Sequence, residues 1–126
     1  MLTDHKLKTA YAYLYIRDFH GARRVFDEAI TENPENPEYH FHASVTALRN
    51  GETGYAMEAA RQAVLLEPEN SLYVAHLGAV QAQKLLHEAK AALNEGRITD
   101  GRELLLRAVE ANPLCDSAQE LLTELG

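Results

Sequence analysis

Pro34-Glu35-Asn36-Pro37-Glu38-Tyr39 returns 34 residues later as Pro68-Glu69-Asn70-Ser71-Leu72-Tyr73. A third corner of this kind, Glu110-Ala111-Asn112-Pro113, follows the second by 45 residues, the same interval lengthened by 11. Self-similarity at a fixed period of a few tens of residues marks a repeat architecture. Ahead of each proline stands a trio in constant register: Ala22, Phe26 and Ala29; Ala56, Ala60 and Ala63; Gly101, Leu105 and Ala108. Steps of four and then three place each trio on one helix face. Small residues at its ends let another backbone come close. The proline beyond cannot donate the next helical hydrogen bond and ends the helix.

Working outward from these corners predicts seven helices. The first unit carries two, near 4–16 and 20–32, with Asp4 and Asp18 as start signals. The second carries helices near 37–49 and 54–66. Asn36 caps the first of these with Pro37 at its first position, where a missing N–H costs little. Gly51 takes the turn, and Thr53 is expected to cap the next helix. The third unit holds the 11 extra residues, which amount to about three helical turns. Val74 and Leu85 therefore share a face, as do Gly78 and Ala89, and Gln81–Asn94 contains no Gly or Pro. One long helix near 71–94 is the expectation; a kinked or broken helix with a loop is the alternative. Thr99 is expected to cap a helix near 99–111. A last helix near 116–125 is expected to begin at Asp116, with Gln119 completing a near match to a capping box.

The 126 residues suit one domain. Apolar residues at 46% and charged residues at 25% exclude a disordered or a membranous chain. The formal net charge is -7, and no segment is basic. A surface that tracks nucleic-acid phosphates needs clustered Lys and Arg, so no nucleic-acid partner is expected. No apolar run approaches the ~18 residues of a membrane span, so no membrane insertion is expected either. Cys115 is the single cysteine, which leaves no intramolecular disulfide and favours a reducing, cytoplasmic setting.

The register of Tyr13, Ala22, Phe26, Ala29 and Pro34, of Ser44, Gly51, Ala56, Ala63 and Pro68, and of Leu77, Gly78, Gly96, Gly101, Ala108 and Pro113 resembles the tetratricopeptide repeat family. Ala10 sits where that family wants a small residue in its first helix. The resemblance implies an all-α, right-handed α-solenoid of about three helix-turn-helix units forming a single domain over 1–126. The units fall at about 3–36, 37–70 and 71–115. The third has an extended first helix, and a capping helix follows at about 116–125. The chain departs from the family in lacking its first-helix Trp, and Ala60 stands where a large residue is usual, which loosens the packing expected there.

Signals for chemistry are sparse. His40 and His42 point about 200° apart on a helix and cannot chelate one ion as an i, i+4 pair does. His42 and His76 occupy equivalent repeat positions but bring no Cys or carboxylate cluster with them, so no metal site is expected. His5, His20 and His87 read as isolated surface residues. Ser44, Ser71 and Ser117 lie in no nucleophile elbow, and no glycine-rich phosphate loop occurs. Neither catalytic residues nor a cofactor is expected.

What remains is binding. In the family, the first helix of each repeat lines a concave groove. The resemblance therefore implies a groove of Leu7, Tyr11, Leu14 and Tyr15, then Phe41, His42, Val45 and Arg49, then Leu72, His76, Ala79 and Gln83. Some relatives clamp a chaperone's C-terminal carboxylate with Lys, Asn and Arg. Here those places hold Leu7, Tyr11, His42, Leu72 and His76, so that clamp is not reproduced. An apolar, aromatic groove fits a hydrophobic peptide or an amphipathic helix of a protein partner, as an adaptor or small chaperone would use. Two rival readings stand beside it. One is self-assembly as a homodimer through a seam of Leu77, Leu85, Ala89 and Leu93 on the long helix. The other is service as the interaction domain of a larger protein.

Overall fold

The computed structural model describes residues 4–126, so the expected first residue of the first unit, Thr3, lies outside the described residues. Seven helices and no strand occur among the described residues: α1 His5–Tyr15, α2 Phe19–Glu32, α3 Pro37–Arg49, α4 Thr53–Leu66, α5 Ser71–Asn94, α6 Ile98–Ala111 and α7 Asp116–Leu125. The chain divides into two compact units, Met1–Tyr73 and Val74–Gly126.

Both kinds of turn repeat atom for atom. At the proline corners, the N–H groups of Asn36, Asn70 and Cys115 donate to the carbonyls of Asn33, Glu67 and Asn112 at 3.2, 3.1 and 3.0 Å. Within each helix pair the chain reverses through a left-handed residue. These are Arg17 (φ 61°), Gly51 (φ 75°) and Gly96 (φ 80°). The N–H of the next residue, Asp18, Glu52 or Arg97, reaches back to the carbonyl of Tyr13, Ala47 or Ala92 at 2.8–2.9 Å. This closes the last helical turn as a left-handed C-terminal cap does. Arg17 is the one non-glycine of the three, and a Cβ in that region costs about 1–2 kcal/mol. Arg17→Gly is therefore expected to stabilise the first unit by about 1 kcal/mol, seen as a higher urea midpoint with an unchanged slope. An unchanged or lower midpoint would show that the turn tolerates arginine without strain.

Asp4 and Asp18 cap their helices as expected. Asp4 Oδ1 accepts from the N–H groups of Lys6 and Leu7, and Asp18 Oδ1 from that of Gly21. Asn36 and Asn70 do the same for α3 and α5. Three expected caps are corrected. α4 begins at Thr53 itself, so Glu52 holds the cap position and makes no side-chain cap bond. α6 begins at Ile98, which leaves Arg97 there instead of Thr99. α7 begins at Asp116 as expected, but Cys115, not Asp116, holds its cap position and makes no side-chain cap bond. Gln119 forms no capping box; its amide donates to the Pro113 carbonyl.

In the first unit a core of Leu7, Ala10, Ala22, Phe26, Ala29, Tyr39 and Ala43 joins α1, α2 and α3. Ala22 and Ala56 are wholly buried, and Ser44, buried beside Ala56, donates its hydroxyl to the Ala56 carbonyl at 2.6 Å. Asp4 Oδ2 also accepts from the Tyr39 hydroxyl at 2.8 Å, which fastens the start of α1 to α3. Arg23 of α2 pairs with Glu52 and lies 3.5 Å over the Tyr55 ring of α4.

α5 runs unbroken for 24 residues, and the alternative of a kinked or looped insertion falls away. The shared face expected of Gly78 and Ala89 is real. A Cβ built on Gly101 would lie 3.5 Å from the Ala89 carbonyl oxygen, and one built on Gly78 would lie 2.5 Å from that of Ala111. Three turns of α5 thus pass along almost three turns of α6. Ala82, Leu86, Ala89, Leu105, Ala108 and Ala118 form the core. α7 packs on it through Leu121, Leu122 and Leu125. Arg102 donates to the carbonyls of Leu125 and Gly126, groups left over at a helix C-terminus. Leu85 and Leu93 pack against this same core and Ala89 is fully buried. Of the seam expected for self-assembly, Ala89 is therefore covered within the unit, while Leu77, Leu85 and Leu93 are half-buried.

Candidate functional site

The cap at Asp4 and its bond to Tyr39 set α1 against α3, and the helical wheel decides what α1 then exposes. Taking 100° per residue, Leu7, Leu14, Tyr11 and Tyr15 span about 100° of arc. Leu7 and Leu14 lie nearest the buried Ala10; Tyr11 and Tyr15 lie further round. Exposure follows that order. Leu7 is 1% exposed and belongs to the core, so its place in the groove is corrected. Leu14 packs against the core from its edge. Tyr11 is half-buried, and Tyr15, at 90%, stands in solvent.

From Tyr11 a line of rings crosses the first unit. Its edge meets buried Phe26 behind it, with centroids 6.4 Å apart at 89°. On the other side it meets His42 at 5.5 Å and 88°. His42 meets Phe41 at 5.2 Å, and Phe41 meets Tyr73 at 4.9 Å. The first three contacts are edge-to-face and the last is tilted at 34°; aromatic pairs of such geometry add about 0.5–1.5 kcal/mol each beyond the area they bury. Tyr11, Phe41 and His42 remain half-exposed, so the rail has a buried back and an open front. Val45 is half-buried one turn beyond Phe41; Arg49 is exposed at the end of α3, and Leu72 is 59% exposed at the start of α5.

The Tyr11 hydroxyl and His42 Nδ1 are 2.6 Å apart. Burial raises the Tyr11 pKa, partly offset by Arg49. Burial lowers that of His42, partly offset by Glu38. Both groups are thereby held neutral, which suits the phenol donating to Nδ1 with the ring proton on Nε2. The pair is a fixed polar point in an otherwise apolar strip.

In the second unit His76 and Ala79 are half-buried and Gln83 is exposed; burial lowers the His76 pKa as it does that of His42. His5, His20 and His87 are exposed. His40 is buried, 6% exposed, with Nε2 donating to the Pro34 carbonyl at 2.7 Å. Gln119 repeats that bond six residues after Pro113. No group of three or more His, Cys, Asp or Glu placed to hold a metal occurs among the described residues. No helix among them is long and apolar enough to cross a membrane.

The tetratricopeptide repeat sequence pattern matches residues 7–83 and 86–125, and the gap between the two matches falls inside the lengthened helix α5. No curated protein sequence matches the chain. Among solved structures, one of MamA superposes with a TM-score of 0.57 at 16% identity, covering 99% of this chain and 84% of that one. A second MamA structure gives 0.56 at 18% identity, over 95% of this chain and 60% of the other. An O-GlcNAc transferase mutant from Thermobaculum terrenum gives 0.54 at 22%, over 98% of this chain but only 23% of the enzyme. At such identities the likeness is one of fold. Paired helices of 34-residue period, the repeated turns at Arg17, Gly51 and Gly96, and a sequence match along nearly the whole length lead to one conclusion: the chain belongs to the tetratricopeptide repeat family, whose fold serves protein–protein interaction.

Proposed function

We propose that the chain holds a hydrophobic peptide or one face of an amphipathic helix against the rail of Tyr11, His42 and Phe41, in the manner of an adaptor or small chaperone. The observation that carries this reading is the rail's half-buried state. Its rings are fixed from behind by Phe26 and Tyr73, yet their fronts stay open. Aromatic side chains already locked in place give large contact area at little entropic cost, as binding hot spots require. Val45, one helical turn beyond Phe41, and exposed Leu72, next to Tyr73, add apolar surface, and Arg49 offers a charge at the end of α3. The work is to hold a segment, with no bond made or broken. Tyr11 and His42 supply the one internal polar point against which a peptide group could register.

The test places a photo-crosslinking amino acid at Val45 in the otherwise native chain, expressed in its own cell. A partner captured there is then measured against Phe41→Ala. The expected result is binding weaker by about 1–2 kcal/mol with helical circular dichroism unchanged. Undiminished binding would remove the rail from the interaction. Equal loss of helicity would make Phe41 a core residue.

A further inference from the structure

The helix α4 is short of volume. Ala59 and Ala60 stand where α2 has Val25 and Phe26 and where α6 has Leu104 and Leu105. Alanine cannot reach across to the next helix, and in the first unit the space is not refilled. A cavity of about 330 Å³ opens between α2 and α4. Its apolar wall is Ile30, Ala59 and the ring of Tyr55; Asp27 and Glu58 stand among its lining residues, which include no Lys or Arg. His40 also lines it, with its Nε2 already engaged by the Pro34 carbonyl. The Tyr55 hydroxyl donates to Asp27 Oδ1 at 2.9 Å and ties the two helices across it. No residue of this cavity belongs to the aromatic rail.

We propose that this cavity is a second protein-docking site, which seats a lysine or arginine side chain from a basic segment of a partner. The methylene stem lies along Ile30, Ala59 and Tyr55, and the cationic head sits at Glu58, with Asp27, already engaged by Tyr55 and Arg23, close by. Charge complementarity selects this occupant. An apolar wall beside Glu58, in a chain of net charge -7, matches an aliphatic stem with a positive end. The molecule already uses the same surface this way once. The Arg23 guanidinium lies 3.5 Å over the Tyr55 ring, with Asp27 at 3.6 Å and Glu52 as its carboxylate partners. Arg23 is thus matched by its own acids, and Glu58 adds a further carboxylate to the cavity.

The test is an NMR titration of the full chain with a seven-residue peptide carrying two lysines, its arginine version, and an otherwise identical norleucine version. Lysine and arginine peptides are expected to give saturable amide shifts at Ile30, Ala59 and Gln62. Norleucine should bind at least about threefold more weakly, and Glu58→Gln should weaken the lysine peptide by about threefold, as an exposed ion pair allows. Ala59→Leu fills the cavity and should abolish the response. Glu58→Gln changes only an exposed side chain, so it keeps the test decisive if Ala59→Leu does not fold. Norleucine binding as tightly as lysine would overturn the proposal. So would a response untouched by Glu58→Gln, the absence of any saturable shift, or spermidine occupying the cavity where the peptides do not.

Discussion

Phe26→Ala is expected to destabilise the first unit by about 3–5 kcal/mol, the range for emptying a buried aromatic site. Phe26 is 1% exposed and heads the fully buried side chains by volume. Much of the core around it is alanine: Ala10, Ala22, Ala29 and Ala43. An alanine has no side-chain torsion with which to lean into a vacated space, and its backbone is held by its own helix. The cavity therefore stays open, and the loss falls toward the upper end of the range. A second consequence follows for the rail, because the Tyr11 ring rests edge-on against Phe26. Urea unfolding followed by circular dichroism measures the first effect, and amide exchange across α1 and α3 locates it. Phe26→Leu should recover more than half of the loss. A change below about 1 kcal/mol for Phe26→Ala would mean that the surrounding helices close over the site, against the reading of a rigid alanine shell.

The helices were legible because their punctuation is covalent and local. Pro34, Pro68 and Pro113 cannot continue a helix, and the small-large-small trios before them share one face. The bounds of α3, α5 and α7 could be read to the residue for that reason. The misplaced caps at Thr53 and Thr99 have one cause. Thr53 and Thr99 are good capping residues by type, but the left-handed residue of each turn sets where the next helix starts. The residue immediately after Arg17, Gly51 or Gly96 takes the cap position whatever its side chain. Counting from Asp18, which follows Arg17, would have pointed to Glu52 and Arg97. Counting two from each proline, as Asn36 and Asn70 do, would likewise have pointed to Cys115 in place of Asp116.

The candidate site was legible by helix and less so by side chain. A stripe at i, i+4, i+7 and i+8 is one face in sequence, but a core covers only part of that arc. Leu7 toward its inner side is buried while Tyr15 at its outer edge stands in water. Polarity could not separate them; the packing of α3 does, through Tyr39 and Ala43 in the shared core and the long-range bond from Tyr39 to Asp4. The hollow beside α4 had a partial signal. Ala60 marks missing volume, yet Ala60 is itself buried and its neighbour Ala59 lines the cavity. Composition shows that volume is short; only the packing of α2 against α4 shows which side it is missing from.

Gly78→Ala is expected to destabilise the second unit by about 2 kcal/mol, although alanine is the better helix former. In an open helical site that exchange gains up to about 1 kcal/mol. Gly54 provides such a site: a Cβ there meets nothing within 4 Å. At Gly78 the same atom would come 2.5 Å from the carbonyl oxygen of Ala111, at the end of α6. The alanine Cβ has no rotamer that avoids the contact, and a backbone oxygen cannot swing aside. Relief requires α5 and α6 to separate, which opens the contacts of Ala89 with Gly101 further along the same pair. Overpacking of this kind costs about 1–3 kcal/mol, more than the helical gain returns. Gly101 offers the contrast, since its added Cβ meets chiefly the Leu93 side chain, which can rotate. Gly101→Ala should therefore cost less than Gly78→Ala, and Gly54→Ala should stabilise. Thermal or urea midpoints of the three variants check the order. If Gly78→Ala matched Gly54→Ala, the close approach of α5 to α6 would be wrong, and the lengthened helix would not lie along its neighbour as three inserted turns require.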